Sequence, residues 1–258
     1  MKITDTNNIP VSADMLTVGY DKPLIENICF NVRGGEIMTL IGPNASGKST
    51  ILKTAAGYLK ALGGTVFLDG KSIDDITPKE KSKRLAVVLT DRIKPEMMTC
   101  RDVVETGRYP YTGYFGVLSP EDRECAEEAM EMTRVTEFAD RDFSAISDGQ
   151  RQRVMLARAI CQSPEILILD EPTSFLDIHH KIYFLEILRK LADEKKTAVI
   201  LSMHELELAK IISDHAVCIN NGKIVCSGKP DEVFTEEMIR EVFDISPELY
   251  EKYLRIYR

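Results

Sequence analysis

The feature that most constrains this chain is a glycine-rich loop between an apolar run and a helical pattern. Residues 42–49 read GPNASGKS, which is G-x-x-x-x-G-K-S, and they follow the apolar stretch 36–41. Two glycines allow a backbone turn that directs amide N–H groups toward a phosphate, and the next helix adds the partial positive charge of its N-terminus. The loop therefore predicts a strand–loop–helix unit that binds the phosphates of a nucleotide, with its helix over residues 48–59.

Each part of this loop has an expected contact. Lys48 can reach the β- and γ-phosphates and is predicted to be catalytic, and the Ser49 hydroxyl can ligate Mg²⁺. The predicted nucleotide-binding residues are Gly42, Pro43, Asn44, Ala45, Ser46, Gly47, Lys48, Ser49 and Thr50.

A second phosphate motif requires an acid at the end of a strand. The apolar run 166–169, ILIL, is followed by Asp170 and Glu171. A buried strand would place Asp170 at its carboxyl edge, where the carboxylate can hold Mg²⁺ through water. Glu171 follows it and can polarise the attacking water. The combination of this strand with the glycine-rich loop predicts nucleotide hydrolysis.

Alternation of short apolar runs with helical patterns predicts an α/β fold with a mostly parallel core sheet. The strand-rich early residues predict an antiparallel β flank. The region at about 95–160 contains helical patterns without a strand and is predicted to be a helical subdomain. Residues 229–258 are predicted to be a helical tail. With 258 residues, the whole chain, 1–258, is interpreted as one domain.

Composition excludes several classes of function. Lys and Arg total 33 against 41 Asp and Glu, a formal net charge of −8, whereas nucleic-acid binding demands a clustered positive surface. No apolar run approaches the roughly 18 residues of a membrane span, and residues 1–10 lack the apolar core of a secretory signal. The 6 cysteines form no C-x-x-C pair and are expected to be reduced in a cytosolic protein.

Several further segments resemble one family. Residues 146–153, ISDGQRQR, resemble the LSGGQ signature of ABC-type ATPases, and they precede the acidic strand as in that family. Asp177, in SFLD, resembles its D-loop aspartate, and His204 resembles its switch histidine. Tyr20, in VGYDKP, resembles the aromatic residue that stacks on adenine. The resemblance covers about residues 13–245 and implies a P-loop NTPase fold of the ABC nucleotide-binding type.

The resemblance also implies a mechanism. Two copies would sandwich two ATP molecules head to tail. Ser147, Gly149 and Gln150 of one copy would complete the site that contains Lys48 of the other. Within each site, ATP and Mg²⁺ are the expected cofactors.

The remaining predicted residues act on the γ-phosphate end of the nucleotide. Glu171 would be the general base and His204 would contact the γ-phosphate. Closure of the sandwich would supply the power stroke, because the closed state binds ATP better than the open state.

Two positions depart from the family pattern. Thr90, followed by Asp91, stands where the family usually has a glutamine that contacts Mg²⁺. Either residue can replace it, so Thr90 is retained as a candidate metal ligand beside Ser49 and Asp170. Asp148 stands where the signature normally has glycine. A carboxylate facing the γ-phosphate would repel it, so the Asp148 side chain is expected to cap the helix predicted over residues 150–162 or face solvent.

Residues 107–111, GRYPY, resemble a segment of the ATPases that serve iron–siderophore, haem and cobalamin importers. That resemblance implies polytopic permease subunits as partners, a substrate-binding protein as an indirect partner, and a peripheral position on the cytoplasmic face of the plasma membrane. The alternatives are a non-transport ABC ATPase, either a soluble clamp or an iron–sulfur assembly factor, and a nucleotide-binding module that no longer hydrolyses. The tail 246–258 is expected to pack onto its own domain or to contact a partner through Leu249, Tyr250, Tyr253, Leu254 and Tyr257.

Overall fold

A computed structural model describes residues 9–89, 95, 97–249 and 252 of the chain. In chain order the strands and helices are β1 Val11–Gly19, β2 Pro23–Val32, β3 Ile37–Ile41, α1 Lys48–Ala55, β4 Gly63–Leu68, β5 Lys71–Ser72, α2 Pro78–Arg84, β6 Leu85–Val88, α3 Cys100–Glu105, α4 Pro120–Met132, α5 Asp148–Cys161, β7 Ile166–Leu169, α6 Ile178–Lys195, β8 Ala198–Met203, α7 Leu206–Ile212, β9 His215–Asn220, β10 Lys223–Gly228, α8 Pro230–Val233 and α9 Glu236–Phe243.

The larger sheet has the strand order β10–β9–β3–β8–β7–β6. Its neighbours are parallel from β9 to β6, and β10 pairs antiparallel with β9. Strands β3, β7 and β8 are buried along their whole length, as their continuous apolar sequences predict. The glycine-rich loop, the acidic pair and His204 follow these three strands. Because carboxyl ends of parallel strands meet at one edge, the motifs converge there.

The smaller sheet has the order β2–β1–β4–β5 and is antiparallel throughout. It is the predicted antiparallel flank, so the predicted fold class is confirmed. One apolar cluster joins this sheet to α1 and to one face of the larger sheet, where Met38 and Leu40 point. Ile37 and Ile41 point to the opposite face and pack with residues of α5, α6 and α7. This alternation along β3 covers both faces of the central sheet.

A third apolar cluster lies among α3, α4 and α5. It includes Val103 of α3, Met130 of α4 and Val154 of α5, all buried. Its members run from Cys100 to Cys161, which corresponds to the region at about 95–160 that is predicted to be a helical subdomain. The boundaries 95–160 stay a prediction.

A polar joint links this helical region to the larger sheet. The Nε of Arg108 donates to Asp122 of α4 at 2.8 Å, and its NH1 donates to the Cys161 carbonyl at the end of α5 at 2.9 Å. The Arg108 guanidinium lies 3.9 Å from the ring centroid of Tyr111. Gln162, directly after α5, donates its amide to the carbonyl of Leu85 at 2.7 Å, so the end of α5 is attached to β6.

One helical prediction needs correction. The helix predicted over residues 48–59 ends at Ala55, because Gly57 adopts a φ of 69° and closes a Schellman motif in which Tyr58 N–H donates to the Lys53 carbonyl. The tail contains the two short helices α8 and α9, and α9 begins after the N-cap Thr235. Of the five tail residues expected to pack onto the domain or to contact a partner, Leu249 is exposed. The other four, Tyr250, Tyr253, Leu254 and Tyr257, lie outside the described residues.

All 6 cysteines are free; Cys29 is exposed, while burial raises the pKa of Cys161 to about 12. Across the described ranges, no helix is long and apolar enough to cross a membrane.

Candidate functional site

The phosphate loop leaves β3 in a conformation that requires its glycines. A Cβ on Gly42 would lie 2.1 Å from the carbonyl oxygen of Ile219, so only glycine fits beside β9. Gly47 has a φ of 104°, in the left-handed region. The Lys48 side chain is buried and its Nζ donates to the carbonyls of Gly42 and Pro43, each at 2.9 Å. The ammonium is therefore fixed under the loop.

Ser46 gives a direct test of whether this loop fits a phosphate. Its Oγ is buried and has no hydrogen-bond partner within the described part of the chain. A buried hydroxyl without a partner costs free energy, about 1–3 kcal/mol. An anion held by the loop would accept the Ser46 O–H, so the chemistry of this position fits a phosphate oxygen.

The acidic pair lies at the end of β7 and is linked by a serine of β8. Asp170 is buried, and its Oδ1 accepts a hydrogen bond from Ser202 Oγ at 2.7 Å. The same Ser202 Oγ accepts the backbone N–H of Glu171 at 2.9 Å. Glu171 has a φ of 48°, unusual for a glutamate, so its backbone turns sharply as β7 ends.

Glu171 and His204, both predicted to be catalytic, are in contact. Glu171 Oε1 lies 2.6 Å from His204 Nε2, and both side chains are partly exposed. The next residue, Glu205, accepts from Thr173 Oγ1 at 3.1 Å and pairs with Lys181 of α6. Ser202 and Glu205, on either side of His204, thus both form hydrogen bonds to the segment after β7.

Electrostatics tie the phosphate loop to the acids. Burial lowers the pKa of the Lys48 ammonium, and attraction to Glu171 and Asp170 opposes that shift. The three predicted groups therefore belong to one electrostatic site. An ammonium between carboxylates and a phosphate loop suits a substrate that brings both negative charge and a cation.

The metal prediction rests on oxygen ligands. In the ranges that the structure describes, no group of three or more His, Cys, Asp or Glu could hold a metal ion. Mg²⁺ needs no such cage, since it is commonly bound by one or two protein oxygens together with phosphates and water. Ser49, at the start of α1, and Asp170 supply oxygens of the right kind. Thr90 and Asp91 lie outside the described residues.

The signature segment forms the start of α5. Ser147 is its N-cap: Ser147 Oγ accepts Gln150 N–H at 3.3 Å, while Gln150 Oε1 accepts Ser147 N–H at 3.0 Å. Of the two positions expected for Asp148, the structure shows the solvent-facing one: Ser147 is the cap, and Asp148 is the first helical residue, with a partly exposed side chain that pairs with Arg151 at 2.9 Å. Ser147 is exposed, and Gly149 lies next to the backbone of Phe175, just before the D-loop aspartate.

Asp177 and Tyr20 lie apart from the phosphate loop in the sequence and occupy exposed positions. Asp177 is the N-cap of α6, where its Oδ1 accepts His180 N–H at 2.9 Å. That hydrogen bond and a second one from the His180 ring lower the Asp177 pKa. Tyr20 follows β1 in the turn toward β2 and is 64% exposed. Neither residue is buried in its own domain, so both are accessible to a ligand or a partner.

Three residues of the site were missed by sequence reasoning: Ser202, Arg151 and Glu205. The signal for Ser202 was a hydroxyl near the end of the otherwise apolar strand AVILSM. The signal for the Ser147 cap was the S-x-x-Q spacing of a capping box. Partners of Ser202 and Glu205 are about thirty residues away in sequence and follow only from the pairing of β7 with β8.

Comparisons with known proteins agree with this geometry. A family profile described as ABC transporter matches residues 25–174. The ABC transporter ATP-binding protein MJ0873 of Methanocaldococcus jannaschii is 45% identical over 236 residues, 91% of this chain and 81% of that protein. The iron(3+)-hydroxamate import ATP-binding protein FhuC of Bacillus subtilis is 36% identical over 240 residues, 93% of this chain and 89% of that protein.

Solved structures share the fold. A structure of an inward-facing ABC transporter of metal-chelate type has a TM-score of 0.81 at 24% identity, covering 92% of this chain and 90% of that chain. The dimeric structure of the ABC transporter cassette MJ0796 has a TM-score of 0.77 at 26% identity, covering 85% of this chain and 98% of that chain. The phosphate loop, the acidic strand and the signature point to the same family as the profile does. The resemblance seen in the sequence is therefore confirmed: the chain belongs to the ABC transporter family.

Proposed function

We propose that this protein hydrolyses ATP to energise import of a metal chelate, of the iron–siderophore, haem or cobalamin type, through a membrane permease. The observation that carries the ATPase part is the contact of Glu171 with His204 at the edge that also holds Lys48. The import part is supported by the similarity to FhuC, an iron(3+)-hydroxamate import ATP-binding protein, and by the GRYPY segment.

Each residue has a role in the hydrolysis. Lys48 and the amides of residues 42–47 bind the β- and γ-phosphates, and Ser46 Oγ donates to a phosphate oxygen. Ser49 and Asp170 would hold Mg²⁺, with Thr90 as a further candidate, and the bound ion neutralises charge on the phosphate oxygens. Glu171 accepts a proton from the attacking water.

His204 and Tyr20 complete the proposed site within one copy. The Nε2 of His204 contacts Glu171 and holds the carboxylate in one orientation, and it exchanges this contact for the γ-phosphate when ATP binds. Tyr20 is exposed and can stack on the adenine ring.

A second copy supplies the remainder. Ser147, Gly149 and Gln150 stand at the exposed N-terminus of α5, a 14-residue helix, where N–H groups and the helix dipole favour an anion. Asp177, exposed at the start of α6, would face that copy. ATP held between two copies binds the closed pair better than the open one, and this difference drives the permease.

The proposed permease contact is a groove beside the joint of the helical region. It has a volume of about 660 Å³ and is bordered by Tyr58, Lys79 and Lys81 on one side and by Tyr109 on the other. Tyr58 and Tyr109 are 65% and 57% exposed. Exposed tyrosines around a concave surface are typical of protein interfaces. The protein would then be peripheral on the cytoplasmic face, and a substrate-binding protein would deliver the cargo to the permease.

Co-purification tests the transport assignment. The tagged chain is recovered from native membranes in mild detergent, and its partners are identified by mass spectrometry. We expect a multi-span permease at about one permease subunit per copy, since each half of a two-fold assembly binds one copy. Recovery from the soluble fraction alone, without a permease, would favour the alternative, a soluble ABC clamp or an iron–sulfur assembly factor.

Hydrolysis is tested separately by phosphate release from ATP. Glu171→Gln removes the base and retains the shape of the side chain, so kcat should fall by about 10²–10⁴-fold while ATP still binds. A wild-type protein that binds ATP and releases no phosphate in the presence of its permease would leave the non-hydrolysing module as the correct reading.

A further inference from the structure

Ser202 joins the two acids of the site, and nothing in the signature motifs assigns it a role. It is fully buried on β8, between β3, which leads to the phosphate loop, and β7, which ends in the acids. In register, Leu201 pairs with Leu169, so Ser202 lies beside Asp170. Five of the six residues of β8 are apolar, and Ser202 is the hydroxyl among them.

Its hydroxyl has two different partners. Ser202 Oγ donates to Asp170 Oδ1 at 2.7 Å and accepts the Glu171 N–H at 2.9 Å. Accepting a hydrogen bond polarises a hydroxyl and strengthens its own donation, so the two bonds support each other. One side chain thereby sets the direction of the Asp170 carboxylate and fixes the backbone from which Glu171 projects.

The backbone of Glu171 needs such support. Its φ of 48° lies in the left-handed region, which a glutamate adopts at a cost. The Ser202 bond holds the N–H of that residue, and the side chain then reaches His204 at 2.6 Å. Freed from Ser202, this peptide would relax toward a commoner conformation and turn the Glu171 carboxylate away from His204.

We propose that Ser202 is a positioning residue that couples the metal-binding carboxylate Asp170 to the general base Glu171. This inference rests on the proposed ATPase function. A partner of a metal-binding carboxylate typically changes metal affinity or activity by about 10–100-fold when it is removed. Binding of the nucleotide phosphates by the loop does not involve Ser202 and should be unaffected.

The experiment compares Ser202→Ala and Ser202→Thr with wild type in the full-length chain. Mn²⁺ replaces Mg²⁺, because it also prefers octahedral oxygen ligands, and free Mn²⁺ is measured by electron paramagnetic resonance with a non-hydrolysable ATP analogue present. Binding of the analogue without metal is measured in EDTA. Steady-state phosphate release gives kcat and KM for ATP.

We expect Ser202→Ala to weaken Mn²⁺ binding and lower kcat, each by about 10-fold or more, with metal-free analogue affinity unchanged. Ser202→Thr retains the hydroxyl and should restore most of both. The matched control is Ser213→Ala, which removes another buried serine hydroxyl with two partners, Thr39 Oγ1 and the Ala209 carbonyl, each at 2.6 Å. This control should lower thermal stability without changing Mn²⁺ affinity.

Two results would overturn the role of Ser202. One is wild-type Mn²⁺ affinity and kcat in Ser202→Ala; the other is an equal loss in Ser202→Thr. If instead wild-type protein fails to bind Mn²⁺ with the analogue, the proposed ATPase function fails, and the role of Ser202, which rests on that function, fails with it.

Discussion

Two serines show how differently the two ends of this ATPase site are built. Ser46, in the phosphate loop, is buried and its Oγ has no partner within the described residues. Ser147, in the signature, is exposed, and its Oγ accepts the Gln150 N–H in a capping box. One hydroxyl is enclosed for a ligand, whereas the other completes its own helix and stands at the surface.

The signature end is the one for which a second molecule is proposed. At the loop end, Lys48, Asp170 and Glu171 already lie within one electrostatic site of one chain. The signature segment is capped by its own residues, and Ser147 is exposed. The proposed site, assembled from both ends, would then need two copies.

The largest expected effect comes from the loop end. Lys48→Ala removes the buried ammonium, and kcat/KM for ATP should fall by about 10²–10³-fold, because charge on the phosphates loses its preorganised partner. Lys60→Ala, at an exposed position, is the control and should stay within about twofold of wild type. Comparable activity in the two variants would remove Lys48 from the site.

The proposed sharing of one site between two copies is tested by mixing two inactive variants. Ser147→Asp keeps a good N-cap and places a carboxylate against the γ-phosphate, so it should inactivate without unfolding α5. Mixed with Lys48→Ala at equal concentration, it should restore roughly a quarter of wild-type phosphate release, since half of the dimers are mixed and each holds one intact site. Absence of any restoration, with both variants folded and dimeric, would contradict a site shared between copies.

A smaller effect concerns the joint of the helical region. Asp122→Asn leaves the buried Arg108 guanidinium without its carboxylate and should lower the free energy of unfolding by about 3 kcal/mol. The hydrogen bond from Arg108 lowers the pKa of Asp122. The stability that this ion pair contributes is therefore present above the unfolded pKa of Asp122, about 4. It is lost as pH falls through the lower pKa that Asp122 has in the folded protein.

Denaturation by urea at pH 7 and at pH 3 measures this contribution. Wild type should lose more stability between these pH values than Asp122→Asn does. An equal loss in both proteins would mean that the pair does not supply the acid sensitivity of the fold.

The smallest expected effect is at Asp148. Asp148→Gly removes a partly exposed ion pair with Arg151 and an acid in the first turn of α5, so stability should change by less than about 1 kcal/mol. ATP-driven dimerisation, followed by size-exclusion chromatography, should be little changed. A sharp tightening would mean that the carboxylate faces the γ-phosphate, contrary to its pairing with Arg151.

The sequence predicted the candidate site best where a motif consists of consecutive residues. The phosphate loop and the strand ending in Asp170 are local patterns, and each lies where the pattern predicted. Ser202 was not found, because its role exists only when β8 lies in register beside β7, with partners about thirty residues away. Periodicity cannot report such a contact.

Element ends were predicted less well than elements, and capping explains both errors. α1 stops because Gly57 turns left-handed, although the apolar pattern continues to residue 59. α5 starts two residues earlier than predicted, since Ser147 and Gln150 cap each other. In both cases a hydrogen bond at the terminus outweighs the hydrophobic pattern, and the decisive residues were visible in the sequence.

The attachment of α5 gives it the mechanics of a lever. Its C-terminal end is held by Arg108 and, through Gln162, by Leu85 of β6, and Gln162 and Leu85 line the groove proposed for the permease. Its 14 residues extend about 21 Å to Ser147 at the other end. A rotation of about 10° at the held end would therefore displace Ser147 by about 4 Å, more than the length of a hydrogen bond. A small tilt at the held end would therefore be enough to make or break the proposed contact of the signature with a phosphate.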